Sequence, residues 1–554
     1  MMVPVTNKTM NLADCANDWF YDDKYGVWCL EDILYTDKAE VPAFQRLSVF
    51  VPAEYMSEPG VINKDGAHGK YTAATAPIVF ENNAAGYMEM PHTWLGGPRD
   101  MSEKYLEKGM VFVTCGARGR ESRNKDGRLC GKSPWTLVDF KTAIRFLRHN
   151  AEFIPGRFDR IISVGWSAGG AMSSLIGVTG NNPVYDAYLE ANGAFMDERD
   201  DVYASQVYCP IVDLEHADLA YEWQFHADKE NEGSIAGPAG TMTPFEDALS
   251  SKLYDKYIEY FNDLGLKDPV TGEVLEINED GRSGSGYDYL MKLLEESASK
   301  YLNKLEAGLI PDRTCTVSDY ITGNYTYEET VIDMPGPDEI ADMAGGAPAM
   351  PSLGLLMLRP PKGQEFEGPG ESLVERQGSD KSGWLTWDGA SAHIKDLDTY
   401  ILNHRGRMKP CTSFDTLGMN SGENQEFGTP DNDYMHFSMD IAPAIAELKE
   451  AFPDEYDKYH DAFAAADGDE SLAIRKYLIN PMNFIGTDEP DSGTQYYRVR
   501  VGASDADTAF VISMALALKL AADGKDTDYA LVWDQPHCEA DYPGEVTDWI
   551  DSIV

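Results

Sequence analysis

The stretch Ile161–Gly177, IISVGWSAGGAMSSLIG, decides how this chain is read. Ile161–Val164 is a short, continuous apolar run of the kind that fills a buried strand. Ala171–Gly177 is apolar, rich in small residues and competent to form a helix. Between them lies Gly165-Trp166-Ser167-Ala168-Gly169-Gly170. A serine in that position occupies a tight strand-to-helix turn, and small neighbours let the backbone pass close to itself. The pentapeptide alone is weak evidence. A strand before it and a helix after it turn the reading into a nucleophile with its side chain presented at a sheet edge.

The same rhythm extends outward. Leu47–Val51, Pro77–Phe80 and Val111–Thr114 read as buried strands, and Trp135–His149 as a helix with Leu137, Phe140, Ile144 and Leu147 along one face. Towards the C-terminus Tyr497–Val501 is a strand, Thr508–Leu520 an apolar helix, and Tyr529–Trp533 a further strand. Strand, helix, strand in this order gives an α/β class with a mostly parallel sheet and helices on its faces. From about Cys209 to Asn480 the rhythm is lost. That region holds helical stretches such as Asp288–Lys304 and a Pro/Gly-rich run from Met334 to Gly370. A chain of 554 residues exceeds the roughly 250–300 residues at which one core stops growing. The expected organisation is a catalytic domain of residues 1–208 and 481–554, with 209–480 inserted as a lid or substrate-recognition domain.

With a nucleophile elbow on such a sheet, the expected fold is that of the α/β-hydrolases, in which the acid and the histidine follow the serine in chain order. Asp505 follows the strand Tyr497–Val501 within GASDADT, and His537 follows Tyr529–Trp533 within WDQPH. Asp507 and Asp534 compete as the acid. Asp534 stands three residues before His537 on a tight loop, a poor position from which to orient the ring. His216, His226, His404 and His436 lie in the insertion and are read as structural. The expected triad is therefore Ser167, Asp505 and His537. Ala168, directly after the nucleophile, supplies one backbone N–H for an oxyanion. The loop after Pro77–Phe80 supplies the other, and Gly86 is its expected donor because glycine permits close approach.

The net charge of −47 repels phosphate backbones and anionic lipid surfaces, so nucleic-acid and membrane partners are disfavoured. The acidic residues are spread along the chain, which suits solubility better than a dedicated cationic partner. Eight cysteines show no zinc-ligand spacing and read as reduced core thiols. No metal or cofactor is expected. No stretch of ~18 apolar residues is present, and Met1–Asp18 has no apolar signal segment, so a cytoplasmic or mature secreted form is expected. Oligomeric state is left open.

Beyond these local readings, the chain resembles the bacterial tannases, the tannin acyl hydrolases. The matching segments are VFVPAEY at Val49, AAGYM at Ala84, GARGR at Gly116, SAGG at Ser167, YCPIVDLEHADLAYEWQF at Tyr208, RMKP at Arg407, SGENQEFG at Ser421, GASDADT at Gly502 and WDQPH at Trp533. They span almost the whole chain. The resemblance implies a serine esterase that hydrolyses galloyl ester and depside bonds and releases gallic acid, with a small-molecule galloyl ester as partner. It places the triad on Ser167, Asp505 and His537, and the oxyanion donors on Gly86 and Ala168. It also implies a binding site for the ring hydroxyls made by Lys409, Glu423 fourteen residues later, and Asp507 two residues after the catalytic acid. Neighbouring phenols suit such a site, since carboxylates accept from them and an ammonium donates to them. The alternative is a feruloyl or hydroxycinnamoyl esterase with the same triad, against which three charged ring contacts argue. Residues 334–388, rich in Pro, Gly and Met, depart from the family pattern.

Overall fold

Nine strands join in one sheet in the computed structural model, which describes residues 11–97, 100–233, 239–310, 315–324 and 383–554. In chain order they are β1 (Phe20–Asp22), β2 (Val27–Leu34), β3 (Arg46–Pro52), β4 (Pro77–Asn82), β5 (Val111–Cys115), β6 (Arg157–Trp166), β7 (Ala204–Tyr208), β8 (Tyr496–Gly502) and β9 (Asp526–Val532). Their spatial order is β1-β2-β3-β5-β4-β6-β7-β8-β9. The run from β5 to β9 is parallel throughout, and β1, β2 and β3 extend it as an antiparallel edge. β4, β5 and β7 are buried at every residue, as strands covered on both faces must be.

Two differences from the sequence reading have physical reasons. β7, ASQVY, was not anticipated, because two of its five residues are polar and it lacks a continuous apolar run. Ser205 nonetheless donates to Ser173 O at 2.6 Å, so its hydroxyl is satisfied in the core. The N-terminal hairpin β1–β2 also escaped notice, since the exposed edge strand Phe20–Asp22 buries none of its residues.

The helices that position the site are α1 (Trp135–His149), α2 (Ala168–Val178), α3 (Leu214–Gln224), α4 (Pro244–Asp263), α5 (Ser285–Glu306), α6 (Gly422–Glu426), α7 (Glu470–Ile479) and α8 (Phe510–Ala522). All eleven residues of α2 are buried. It can lie so close to the sheet because its seam is small: a Cβ at Gly170 would stand 2.4 Å from Tyr208 O. In the insertion, α4 opens with a capping box formed by Thr243 and Glu246. The Pro/Gly-rich run from Met334 to Gly370 lies outside the described residues, which resume at 383. Six of the eight cysteines are buried.

The strand order reverses between β4 and β6. β5 lies on one side of β4 and β6 on the other, so the chain leaves these neighbours in opposite directions. A crevice opens at the carboxyl ends of strands at such a switch point. Gly86 follows β4 and Ser167 follows β6, which brings both to that crevice. Asp505 and His537 follow β8 and β9 further along the same edge.

Candidate active site

Ser167 links β6 to α2 with φ 62° and ψ −125°, a backbone conformation that persists only when its surroundings enforce it. They do so through hydrogen bonds at both ends of the residue. Ser167 N donates to Tyr208 O at 3.0 Å, and Ser167 O accepts from Ala171 N at 3.0 Å and Ile211 N at 3.3 Å. Gly165 is required two residues earlier, because a Cβ there would lie 2.1 Å from Gly169 O.

The turn aims the hydroxyl at His537. Ser167 Oγ lies 2.8 Å from His537 Nε2, and His537 Nδ1 lies 2.8 Å from Asp505 Oδ2. The other carboxylate oxygen of Asp505 accepts from Asp507 N at 2.9 Å and Thr508 N at 3.3 Å, so the acid is fixed on both sides. The competing acid Asp534 is engaged elsewhere and accepts from the Tyr301 hydroxyl at 3.0 Å. Burial by itself would lower the pKa of His537; the carboxylates of Asp505 and Asp507 outweigh it and hold the ring well above the ordinary histidine range.

Gly86 sits in a short 3₁₀ turn, Ala85–Tyr87, with φ 56°. Ala168 opens α2, and the N–H groups of a first helical turn have no partner within the helix. The sequence reading missed what holds the Gly86 turn in place. Arg120 donates through Nε to Gly86 O at 2.8 Å, receives support from its own N–H to Tyr87 O at 2.7 Å, and reaches Gln425 Oε1 through Nη1. Gly422 gives it room, since a Cβ there would stand 3.2 Å from the guanidinium carbon. One arginine thus ties the Gly86 turn to α6, whose first turn carries Glu423.

Lys409 is held from the other side by α3. Asp218, Tyr221 and Glu222 occupy one face of that helix, three and four residues apart. Asp218 accepts from Ser413 N, Phe414 N and Asp415 N at 2.6–2.9 Å. Glu222 pairs with Arg407, both fully buried. The Tyr221 hydroxyl accepts from Met408 N and Lys409 N, each at 3.0 Å, and donates to Ala506 O at 2.8 Å. That single oxygen joins the Lys409 segment to the loop between Asp505 and Asp507. The signal was present in the sequence: Tyr208–Phe225 is the longest of the quoted segments, and this helix face explains why so many of its residues are constrained.

Lys409, Glu423 and Asp507 share one feature at their charged ends. Lys409 is 5% exposed, with its ammonium 3.9 Å from the centroid of the Phe414 ring. Among the described residues, none of the three side chains' charged groups makes a hydrogen bond or an ion pair with the protein. Several surrounding buried charges are compensated, Arg407 by Glu222, Asp415 by His436 and Lys132 by Asp433. Glu426 differs: its Oε2 has no hydrogen-bond partner among the described residues, and burial pushes that carboxyl up to about 8, which leaves it largely neutral.

Among the described residues, the grouping with metal-ligand spacing is Cys209, Asp505 and His537. Its histidine and carboxylate are bound to one another, and burial pushes the Cys209 thiol up to about 12, so it stays protonated at neutral pH. His216 pairs with Asp213 at 2.9 Å and His404 Nε2 lies 2.8 Å from Ser504 Oγ, whereas His226 packs its ring against Tyr254 and its buried Nδ1 has no hydrogen-bond partner among the described residues.

Known proteins share this fold. Residues 100–238 match the family model BD-FAE. Esterase LipC of Mycobacterium tuberculosis is 25% identical over 179 residues; the chain spans 39% of the length of that curated relative. Among solved structures, the tannin acyl hydrolase from Lactobacillus plantarum is 28% identical, with a TM-score of 0.71 over 95% of this chain and 94% of that one. Fusobacterium nucleatum tannase is also 28% identical, with a TM-score of 0.70 over 95% of each chain. This chain is a carboxylic ester hydrolase of the α/β-hydrolase fold, built like the bacterial tannases. A tannin acyl hydrolase of the same similarity has been solved in complex with ethyl gallate. In this hydrolase the elbow serine and the segment Tyr208–Phe225 both fall within the family match, whereas Lys409, Glu423, Asp505 and His537 lie beyond it.

Proposed function

We propose that this hydrolase is a serine esterase that cleaves galloyl esters, including the depside bonds of hydrolysable tannins, and releases gallic acid. His537 takes the proton of Ser167 as Oγ attacks the ester carbonyl. Asp505 holds the ring tautomer and stabilises the imidazolium that results. The tetrahedral oxyanion is received by the N–H groups of Gly86 and Ala168. The imidazolium then protonates the departing alcohol, water replaces it, and a second attack frees the acid and restores the serine. Acyl transfer to water by this route calls on no further group.

The observation that carries the choice of substrate is the trio of uncompensated charges. A lysine 5% exposed, with no ion pair among the described residues, is costly to bury unless something else pairs with its ammonium. Glu423 and Asp507 can accept from two neighbouring phenols, and Lys409 can donate to the oxygen of a third. A ring without these hydroxyls leaves the three groups unpaired and is rejected. The ethyl gallate complex of a relative is consistent with the same reading. Residues 209–480, which contribute Lys409 and Glu423, serve in this reading as the inserted recognition domain, with 1–208 and 481–554 as the catalytic one.

Rates on methyl gallate and methyl ferulate test the assignment. A ferulate ring offers one free hydroxyl and a methoxy group, so gallate is expected to be cleaved about 10²-fold faster or more. Faster cleavage of the ferulate ester overturns the galloyl reading and leaves a hydroxycinnamoyl esterase in its place.

A further inference from the structure

Within an acidic chain, residues 116–132 (GARGRESRNKDGRLCGK) form a basic island of six cations against two acids. That island borders a cavity of about 410 Å³, within the size range of small-molecule sites, that contains none of the residues assigned to ester cleavage. Its walls come from Glu40, from the end of the basic segment, from Trp135 and Tyr188, from residues 428–430, and from Ser471, Ile474 and Arg475 on α7.

The lining combines a cationic rim with an apolar, aromatic interior. Arg128 and Lys132 enter from the basic segment and Arg475 from α7. Arg475 makes no ion pair among the described residues. Its Nη atoms donate to Ser471 Oγ at 2.5 Å, Phe427 O at 3.0 Å and Met435 Sδ at 3.5 Å, and among the described residues its buried Nε has no hydrogen-bond partner. The partner of Arg128, Asp431, is 84% exposed at the side chain, so that pair is weak and can be exchanged. Trp135 and Tyr188 meet edge-to-face with centroids 5.4 Å apart. Ile474, large and apolar, is 54% exposed at the same place. Lys132 is neutralised by Asp433 at 2.6 Å and the lining carboxylate of Glu40 by Arg118 at 3.1 Å, so the cations left to meet a ligand are Arg475 and Arg128. An apolar surface flanked by these two guanidinium groups selects a ligand that is itself flat, apolar and negatively charged at one end.

We infer that this cavity is a binding site for a small aromatic carboxylate, separate from the Ser167 centre. The ring would lie against Trp135, Tyr188 and Ile474, and the carboxylate would accept from Arg475 and Arg128, a planar pairing for which guanidinium is suited. Gallate belongs to this ligand class, but the inference stands whichever ester Ser167 cleaves.

The test uses the whole protein with Ser167 capped by a serine-directed phosphonate, so the proposed catalytic centre is closed. Calorimetric titration with benzoate, followed in parallel by tryptophan fluorescence, is expected to show one equivalent bound. Benzyl alcohol, which keeps the ring and lacks the charge, and cyclohexanecarboxylate, which keeps the charge and lacks the aromatic ring, are each expected to bind about tenfold more weakly. Arg475→Gln is expected to abolish binding. Because that side chain also bonds within the fold, Ile474→Asp provides an independent variant: it sits at an exposed position, should leave the melting curve unchanged, and should weaken benzoate about tenfold by placing a carboxylate beside it. No benzoate binding to the capped enzyme, binding indifferent to Ile474→Asp, or equal binding of cyclohexanecarboxylate overturns the proposal. The rate ratio for methyl gallate and methyl ferulate is untouched by any of these outcomes.

Discussion

The serine side and the ring side of the crevice are built on opposite terms. Around Ser167 the hydrogen bonds are complete in the free protein: hydroxyl to imidazole, imidazole to Asp505, and Asp505 to two backbone N–H groups. Around Lys409, Glu423 and Asp507 the backbone is fastened just as firmly, through Tyr221 and Arg120, but among the described residues the charged ends make no hydrogen bond or ion pair. A chemical step gains from groups that need no rearrangement when charge develops. Recognition gains from groups whose only good partners are on the substrate. The contrast predicts that damage to the first side lowers the rate on every ester, while damage to the second lowers it on hydroxylated rings alone.

The largest effect should come from the serine side. Ser167→Ala is expected to reduce kcat about 10⁶-fold on methyl gallate and on p-nitrophenyl acetate alike, measured by product release. A variant that kept most of its activity on either ester would show that the completed hydrogen-bond chain is not the chemical centre.

On the ring side, Lys409→Met removes the ammonium while keeping much of the side-chain length. The expected loss in kcat/KM on methyl gallate is about 10–100-fold, the worth of one charge-assisted hydrogen bond in a buried site. Hydrolysis of p-nitrophenyl acetate, which has no ring hydroxyls on its acyl group, should stay near the parent value. Equal losses on both esters would remove the distinction between the two sides.

Tyr221→Phe probes the fastening rather than the charge. It deletes one oxygen that accepts from two N–H groups and donates to Ala506 O. Stranding those buried donors should cost ~1–3 kcal/mol of stability in a denaturant titration. Loosening Lys409 and Asp507 together should also lower kcat/KM on methyl gallate, by less than Lys409→Met does, with little change on the acetate.

The two sides also differed in how far they could be read from sequence. The elbow at Ser167 is local: strand, glycine, serine and helix lie within seventeen residues, and Gly165 and Gly170 are small because backbone passes within 2.1–2.4 Å of where a Cβ would stand. Asp505 and His537 are remote, but their places after β8 and β9 follow from the order of a parallel sheet. Nothing comparable ordered the ring side. Lys409 and Glu423 stood out through family resemblance, since no periodicity marks a lysine whose position depends on a tyrosine 188 residues away. Arg120 was visible as part of GARGR, but its role depends on Gln425, 305 residues further on. Contacts of that span leave residue types in the sequence without leaving a pattern.

The smallest expected effect tests the one residue that belongs to both sides. In the proposed reading Asp507 accepts from the substrate ring, and its carboxylate also favours the His537 imidazolium, so it contributes to the raised pKa of the base. His537 must be neutral to take the serine proton, which places the acid limb of the kcat/KM profile above the ordinary histidine range. Asp507→Asn removes an anion that favours the protonated ring. The pKa of His537 should therefore fall and the acid limb should move to lower pH, though not as far as removal of the directly bonded Asp505 carboxylate would move it. The profile is best recorded on p-nitrophenyl acetate, where the ring hydroxyls play no part and the position of the limb can be read apart from its height. A limb that stays in place would confine Asp507 to the ring side, and one that moves to higher pH would contradict the electrostatics of the site.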